Sequence, residues 1–481
     1  MASKRQAAVL VLVLTCICLV SWHSYRTGAD YGGLAHPALS ATYSFGDRRL
    51  LTHPAAAAAT ASRNTASGDA SLQLGITDHG ARQGGDRGQD SDGSVRDMKE
   101  AVHVPSVLLA KQLGFNFPVV PRLAALPAYP PPEHVKHNAL RLVSYRGREF
   151  NISNEKHVLA MIHIQKTAGT TLNRLLAERL MGDFSCWCRP VQNANKEVKL
   201  DMNGRVRKDW KHCKCYRPSS SSSQWLFSRT TTGWKCGLHP TYTALTECLA
   251  SGKVDMMERK KQANRAFFVV TILRRPIDRF LSEFAHVKRG VTWKNSTFQC
   301  NGVKLSHVHM PLCFPGRDWS HASMDEFLAC PHNMAFNRQT RMLANLSVVN
   351  CYDSSSMPTA EYNERLLHSA QQTLLSLAWF GLTEYMSESL EMFESRFGVQ
   401  FAKEQLDYKS GDGKPDSKSS FIWKNLTESL TKRIVQANIL DLQLYDFAEK
   451  LFLDRYKELK QQQQQQQHSS ITTYDRPLFD A

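Results

Sequence analysis

The sequence lacks the motif G-x-x-x-x-G-K-[ST], with which nucleotide triphosphatases bind phosphate. The segment that comes nearest to it, residues 163–171, has a single glycine, and Lys166 precedes that glycine instead of following it. Because the order of lysine and glycine is reversed, the segment argues against an ATPase or a kinase.

Cysteine pairs at the usual zinc-site spacing are also missing. Cys186 and Cys188, like Cys213 and Cys215, enclose one residue, whereas zinc sites usually place two to four between the paired ligands. Of the 12 cysteines, all but Cys16 and Cys18 lie in the body of the chain. We therefore expect disulfides and no metal, with a four-thiolate zinc site as the alternative and the pairing left open.

Long apolar runs are scarce, and the candidate membrane segment is the uncharged stretch 6–22, which follows Lys4 and Arg5. No small-residue cleavage pattern clearly follows it, so we interpret it as a signal anchor, with a cleaved signal peptide as the alternative. Basic residues before the segment predict a cytoplasmic tail at 1–5 and a lumenal body, as in a type II protein. A span of about 17 residues is short and suits the thin membranes of the early secretory pathway.

Aromatic residues are few downstream of the anchor, where Ala, Gly, Ser, Asp and Arg dominate. Residues 23–132 are therefore predicted to be a lumenal stem, mostly disordered. Residues 133–460 are long enough for one α/β domain. Residues 461–481 begin with a run of glutamines and are predicted to be a disordered, low-complexity polar tail. Four candidate glycosylation sites would lie in the lumen, at Asn151, Asn295, Asn345 and Asn425.

Acidic residues are outnumbered, with 44 Asp and Glu against 60 Lys and Arg, which gives a formal net charge of +16 at pH 7. Such a balance would suit nucleic acid. Behind a membrane anchor, however, the polyanion within reach is a glycosaminoglycan, and phosphate-type electrostatics apply equally to sulfate and carboxylate. We therefore expect a glycosaminoglycan partner and no nucleic acid.

The reversed loop follows a buried strand, 158–162, and precedes a helix with Leu172, Leu175, Leu176 and Leu180 on one face. Free N–H groups at such a helix start bind anions. The loop is predicted to bind phosphate or phosphosulfate through its nine residues, His163, Ile164, Gln165, Lys166, Thr167, Ala168, Gly169, Thr170 and Thr171. An ordinary strand-to-helix turn is the alternative.

A second strand, 267–273, is followed by Arg274 and by Pro276 at the start of a helix. The helix has a buried stripe that leaves Ser282 and Arg274 facing a common crevice. Arginine with a hydroxyl suits a second phosphate. Two phosphate sites on two strand-loop-helix units are what 3′-phosphoadenosine-5′-phosphosulfate requires, and the pair resembles the sulfotransferase family.

Further segments are similar to heparan-sulfate 6-O-sulfotransferases over roughly residues 156–456. They are 226–239, with Thr232-Gly233-Trp234-Lys235-Cys236-Gly237-Leu238-His239, and 282–293, 337–344, 380–384 and 444–448. The resemblance implies a P-loop-like sulfotransferase fold, α/β with a parallel sheet and flanking helices. It also implies a Golgi enzyme that moves sulfate from 3′-phosphoadenosine-5′-phosphosulfate to the 6-hydroxyl of glucosamine in heparan sulfate. A sulfotransferase for another glycosaminoglycan position, or a catalytically silent heparan-binding membrane protein, is the alternative; the oligomeric state is left open.

Residue roles follow from the resemblance by position. His239 matches the proton acceptor, Lys166 the residue on the transferring group, and Arg274 with Ser282 the 3′-phosphate site. The positions that line the saccharide are matched by Arg229, Trp234, His286 and Trp293, and loosely by Lys211 and His212. Each tryptophan has burial in the core as its alternative role.

The chain departs from the family at three places. Ala168 replaces the first of two glycines, a change that a backbone with an ordinary φ tolerates, so we expect little effect. Arg275 stands where the family has Asp, which adds a cation near the crevice and predicts tighter anion binding or altered pairing. Residues 409–414 do not follow the family's adenosine-contacting loop, so no contacts are assigned there.

Overall fold

A computed structural model describes residues 110–115, 140–182, 186–190, 210–218, 220–291, 293, 298–305, 313–314, 318–402 and 425–474. The strands are β1 (Arg141–Leu142), β2 (His157–Met161), β3 (Trp187–Pro190), β4 (Trp210–Lys214), β5 (Tyr216–Arg217), β6 (Ser220–Gln224), β7 (Leu226–Phe227), β8 (Ala266–Leu273), β9 (Phe298–Cys300), β10 (Val303–Leu305) and β11 (Trp379–Leu382). The helices are α1 (Gly169–Glu178), α2 (Tyr242–Ala250), α3 (Lys253–Glu258), α4 (Pro276–Val287), α5 (Met324–Ala329), α6 (Arg338–Leu343), α7 (Thr359–Ser376), α8 (Met386–Phe397), α9 (Glu428–Ala437) and α10 (Ile439–Tyr474), with 3₁₀ turns at Leu346–Val349 and Thr383–Tyr385.

A five-stranded parallel sheet forms the centre of the fold. Strand β8 pairs with β2 on one side and with β1 and β11 on the other, and β7 extends the sheet beyond β2. Every residue of β2 and β8 is buried, as expected for strands covered by helices on both faces. The α/β fold with a parallel sheet and flanking helices is thereby confirmed.

The two strand-loop-helix units predicted from the sequence are both present. Strand β2 leads through the loop to α1, and β8 leads through two arginines to α4, which has Pro276 in its first turn. The stripe of α4 is buried as predicted, with Ile277, Phe280, Leu281 and Phe284 in one apolar cluster. Since β2 and β8 are adjacent and parallel, the loops that follow them open at the same edge of the sheet.

The ten cysteines of the body form five disulfides. These join Cys186 to Cys215, Cys188 to Cys213, Cys236 to Cys248, Cys300 to Cys351 and Cys313 to Cys330. The first two bridges cross the β3–β4 hairpin, so the four cysteines that might have formed a zinc site are paired. The expected disulfide state is confirmed.

Two boundaries differ from expectation. Residues 110–115, placed in the disordered stem, belong to the folded body, because Ala110 is fully buried in the α4 cluster and Leu113 and Phe115 pack against it. The glutamine run 461–467, predicted to be disordered, continues α10. Glutamine is a good helix former, and a helix already fixed by packing propagates at little cost.

Several predicted features lie outside the described residues: the anchor at 6–22, the stem apart from residues 110–115, Asn295 and the loop 409–414. Of the other sequons, Asn151 and Asn425 are exposed, and Asn345 is half-buried with its side-chain oxygen accepting from the Ser347 N–H. None of the helices within the described residues combines the length and apolar composition needed to cross a membrane.

The end of the folded body is testable on α10. Phe452 is fully buried, whereas the glutamine run is largely exposed. Truncation after residue 463 should therefore change the thermal midpoint by no more than ~2 °C. Phe452→Ala should lower the free energy of unfolding by ~3–5 kcal/mol. Thermal and denaturant unfolding followed by circular dichroism would measure both, and a truncation as damaging as Phe452→Ala would show that the tract is part of the core.

Candidate active site

The loop after β2 has the backbone of an anion-binding turn. Lys166 and Ala168 both have left-handed conformations, with φ of 66° and 62°, and α1 begins directly afterwards at Gly169. The first turn of α1 contains no acidic residue that would neutralise its N-terminus. Such a sequence of backbone conformations directs consecutive N–H groups towards one point, where the helix dipole favours negative charge.

Ala168 contradicts the expectation of an ordinary φ at this position. Its φ of 62° and ψ of 14° lie in the region that glycine enters freely. An L-residue with a side chain pays roughly 1–2 kcal/mol there, because its Cβ crowds the carbonyl that follows. The loop therefore carries strain where the family has glycine.

Gly169 has a steric role in the loop, because a Cβ on this residue would come within 2.6 Å of the His163 ring. The glycine thus allows His163 to fold back over the start of α1. Within the same loop Ile164 is fully buried, and the Thr167 hydroxyl donates to the Ile164 carbonyl, so these two side chains face the core.

Two residues, His163 and Arg229, hold His239 in one orientation. Its Nδ1 lies 3.0 Å from the His163 carbonyl oxygen and 3.0 Å from His163 Nδ1. Arg229 Nη1 donates to its Nε2 at 3.2 Å, and Arg229 Nη2 donates to Thr170 Oγ1 at 3.3 Å. Because a guanidinium only donates, Nε2 must be the unprotonated nitrogen, and Nδ1 carries the hydrogen that the His163 carbonyl accepts. His239 is therefore a neutral imidazole whose lone pair faces Arg229.

Electrostatics reinforce this neutral form. Burial, followed by the positive charge of Arg229, lowers the pKa of His239 to about 3. Burial and Arg229 also hold the pKa of His163 well below its usual value. Both imidazoles are neutral near pH 7, so either could accept a proton without first losing one.

The second unit meets the first through Arg274. Its Nη1 donates to the Lys166 carbonyl oxygen at 3.3 Å, which joins the two loops at the sheet edge. The extra cation Arg275 is paired with two carboxylates: its Nε lies 2.9 Å from Asp278 Oδ2 and 3.6 Å from Glu384 Oε1. Ser282 is buried on α4.

The residues predicted to line the saccharide are divided between the site and the core. His286 is half-buried, and burial followed by the charge of Lys166 lowers its pKa to about 4. Trp234 donates from its indole N–H to the Gly237 carbonyl, beneath the turn that leads to His239. Trp293 is only 5% exposed, packs against Trp319 and donates to Glu283, so in this structure it belongs to the α4 cluster.

Lys211 and His212 lie on β4, but their side chains are outside the described part of the structure. Three residues that the sequence analysis left without a role also touch the loops. Arg338 donates to Gln165 at 2.8 Å, the Thr383 hydroxyl donates to the carbonyls of Thr167 and Leu273, and Gln339 contacts Arg274. All three fall in segments 337–344 and 380–384, where the family resemblance was the available signal.

The site is rich in cations and hydrogen-bond donors. Lys166 lies in the loop itself, Arg229 donates to the Thr170 hydroxyl, and Arg274 donates to the Lys166 carbonyl. No group of His, Cys, Asp and Glu within the described residues could hold a metal ion. A donor set of this kind fits phosphate and sulfate. Together with a neutral imidazole, it has the parts needed to hold an anionic donor and to accept a proton from a hydroxyl.

Comparisons with known proteins agree with this chemistry. A profile described as the sulfotransferase family matches residues 148–448. The chain is 39% identical to heparan-sulfate 6-O-sulfotransferase 2 of Gallus gallus over 317 residues, which are 66% of this chain and 72% of the relative. It is 37% identical to heparan-sulfate 6-O-sulfotransferase 1-B of Danio rerio, over 71% of this chain and 78% of the relative.

The human heparan-sulfate 6-O-sulfotransferase 1 is 38% identical over 66% of this chain and 70% of its own length. The span that the sulfotransferase profile matches, residues 148–448, contains both anion loops and the histidine pair. With this fold, these loops and this degree of identity, the chain belongs to the sulfotransferase family and, within it, to the heparan-sulfate 6-O-sulfotransferases.

Proposed function

We propose that this protein transfers the sulfuryl group of 3′-phosphoadenosine-5′-phosphosulfate to the 6-hydroxyl of glucosamine residues in heparan sulfate. The observation that carries the proposal is the neutral His239 beside an anion-binding turn at the carboxyl edge of a parallel sheet. The names of the relatives give the acceptor and the position.

The donor supplies an activated sulfuryl group with a phosphate leaving group, and the chain supplies positive charge around it. We assign the 5′ side to the N–H groups at the start of α1, to the hydroxyls of Thr170 and Thr171 and to Lys166. We assign the 3′-phosphate to Arg274 and Ser282. Cations fixed before the reaction stabilise charge on the leaving oxygen without a cost of reorganisation.

His239 is the proposed proton acceptor. The His163 carbonyl fixes the hydrogen on Nδ1 and leaves the lone pair on Nε2, the nitrogen that must meet the acceptor hydroxyl. That lone pair is covered by Arg229 at 3.2 Å, so the guanidinium must move aside before a proton can be taken. A sulfate or carboxylate on the acceptor would attract Arg229 away from Nε2, which links the availability of the base to an anionic saccharide.

The acceptor surface is proposed to consist of basic and aromatic side chains around this base. Arg229, Trp234 and His286 are the half-buried members, and Arg289 lies 3.2 Å from the His286 ring. Such a surface suits a sulfated sugar, because the indole can pack against an apolar face of the sugar ring and the cations can pair with its sulfate. Lys211 and His212 remain assigned by family position alone, and Trp293, buried in the α4 cluster, is left out of this surface.

We also propose that the protein is a single-pass type II membrane protein of the Golgi with its catalytic domain in the lumen. The proposal is supported by the basic residues before the uncharged stretch 6–22 and by the sequons in the body of the chain. The five disulfides suit an oxidising compartment.

Transfer of radiolabelled sulfate tests the proposed reaction directly. The full-length chain is incubated with labelled donor and either desulfated heparin or chondroitin, and the product is digested to disaccharides. We expect label on the 6-oxygen of glucosamine from heparin and little label from chondroitin. Label at another oxygen, equal labelling of chondroitin or no transfer to either polymer would overturn the assignment.

His239→Ala separates catalysis from donor binding. A general base contributes typically 10²–10⁴-fold and does not hold the nucleotide, so kcat should fall by that factor while affinity for adenosine 3′,5′-bisphosphate stays close to wild type. His286→Ala, a neighbouring imidazole, is the matched control and should act mainly on the KM for the acceptor. Steady-state kinetics with calorimetry would decide. A His239→Ala protein that loses bisphosphate binding would show a structural role for this residue.

Fractionation of cells that express the full chain tests the proposed location. The protein should sediment with membranes, resist extraction by salt and shift to lower mass after treatment with an N-glycosidase. Substituting Gln at Asn151 and Asn425, the two exposed sequons, should remove part of that shift. An unglycosylated product in the soluble fraction would contradict both the anchor and the compartment.

A further inference from the structure

Gln339 forms hydrogen bonds with both polar backbone groups of Arg274. Its side-chain oxygen accepts from the Arg274 N–H at 2.9 Å, and its side-chain nitrogen donates to the Arg274 carbonyl at 2.8 Å. Gln339 is 1% exposed, so these bonds are protected from competition with water. The side-chain amide of Gln339 therefore satisfies both the N–H and the carbonyl of Arg274, as the backbone of a neighbouring strand would do.

These two hydrogen bonds lie just beyond the end of β8, where the strand no longer pairs with its neighbours. Strand β11 pairs with β8 up to Leu273, and β2 pairs only up to Val270. Arg274 is the next residue, and its polar backbone groups would otherwise be left at a half-buried position without a strand partner. Gln339 therefore extends the ordered backbone of β8 by one residue.

Gln339 is itself anchored by a reciprocal contact between two helices. Asp441, at the start of α10, accepts from the backbone N–H groups of Gln339 and Thr340 and from the Thr340 hydroxyl, at 2.8–3.0 Å. In return, the Asn337 side chain accepts from the Leu440 and Asp441 N–H groups. Asp441 is fully buried, so its carboxylate makes these contacts away from water.

We propose that Gln339 is a positioning residue that aims the Arg274 guanidinium at the 3′-phosphate of the donor. The inference rests on the proposed function, in which Arg274 binds that phosphate. The guanidinium already reaches Lys166 in the other loop, so the backbone of Arg274 fixes the spacing between the two anion sites. Without Gln339 the residue would rotate about its backbone, and the 3′-phosphate would lose its partner while the 5′ side would keep its own.

The test uses the full-length chain and two ligands, adenosine 3′,5′-bisphosphate and adenosine 5′-phosphosulfate, which lacks the 3′-phosphate. Gln339→Met keeps the length of the side chain and removes both hydrogen bonds. We expect affinity for the bisphosphate to fall by about tenfold or more and affinity for the phosphosulfate to change by less than about threefold. In an Arg274→Ala background, Gln339→Met should leave the ratio of the two affinities unchanged.

Thr340→Val is the matched control, because it removes a hydrogen bond to Asp441 one residue along the same buried helix without touching Arg274. It should lower the thermal midpoint and leave the affinity ratio at its wild-type value. Gln339→Leu, a second apolar replacement that makes neither hydrogen bond, should show the same selective loss and serves if the Met variant does not fold.

Equal losses for the two ligands, or a further change of ratio in the Arg274→Ala background, would assign Gln339 a purely structural role and overturn the proposal. An Arg274→Ala protein with an unchanged ratio would instead refute the assignment of Arg274 to the 3′-phosphate. The two failures are therefore distinguishable.

Discussion

The parallel pairing of β2 with β8 is the constraint on which the rest of the site depends. Because these strands are adjacent and run in the same direction, both of their loops leave the sheet at one edge and within reach of each other. The Arg274 guanidinium and the Lys166 carbonyl close that short distance with a direct hydrogen bond. A nucleotide with anions at both ends can be held without a hinge, since one rigid sheet sets the separation of its two sites.

The residues that orient the site are mainly ones that do not take part in the reaction themselves. His163 supplies a carbonyl that fixes the tautomer of His239, Gln339 takes the place of a strand beside Arg274, and the Thr383 hydroxyl ties the first loop to the end of β8. Each of these bonds is partly or wholly shielded from water, where a hydrogen bond keeps more of its strength. Groups held in this way need little rearrangement when charge develops.

The sequence predicted the elements well because buried parallel strands and amphipathic helices have simple periodic signatures. The loop around Lys166, the start of α4 at Pro276 and its apolar stripe could all be read from spacing and composition. Contacts between segments far apart in the chain could not, since no local pattern shows that Gln339 faces Arg274. The left-handed φ of Ala168 was also missed, because only the folded loop requires it. The sequence also could not show that Trp293 is buried, because tryptophan occurs both in cores and on binding surfaces.

Two disulfides join the strands of the β3–β4 hairpin. Changes in the segment between β3 and β4 can therefore leave the pairing of these strands intact. Pro190 and Trp210 face each other across that hairpin, so the chain leaves and returns at one fixed place. Closing a longer excursion from a fixed exit costs only about 0.6 kcal/mol per doubling of its length. A lineage can therefore change the length of the segment between Pro190 and Trp210 at little energetic cost, and the anion loops inherit no strain from the change.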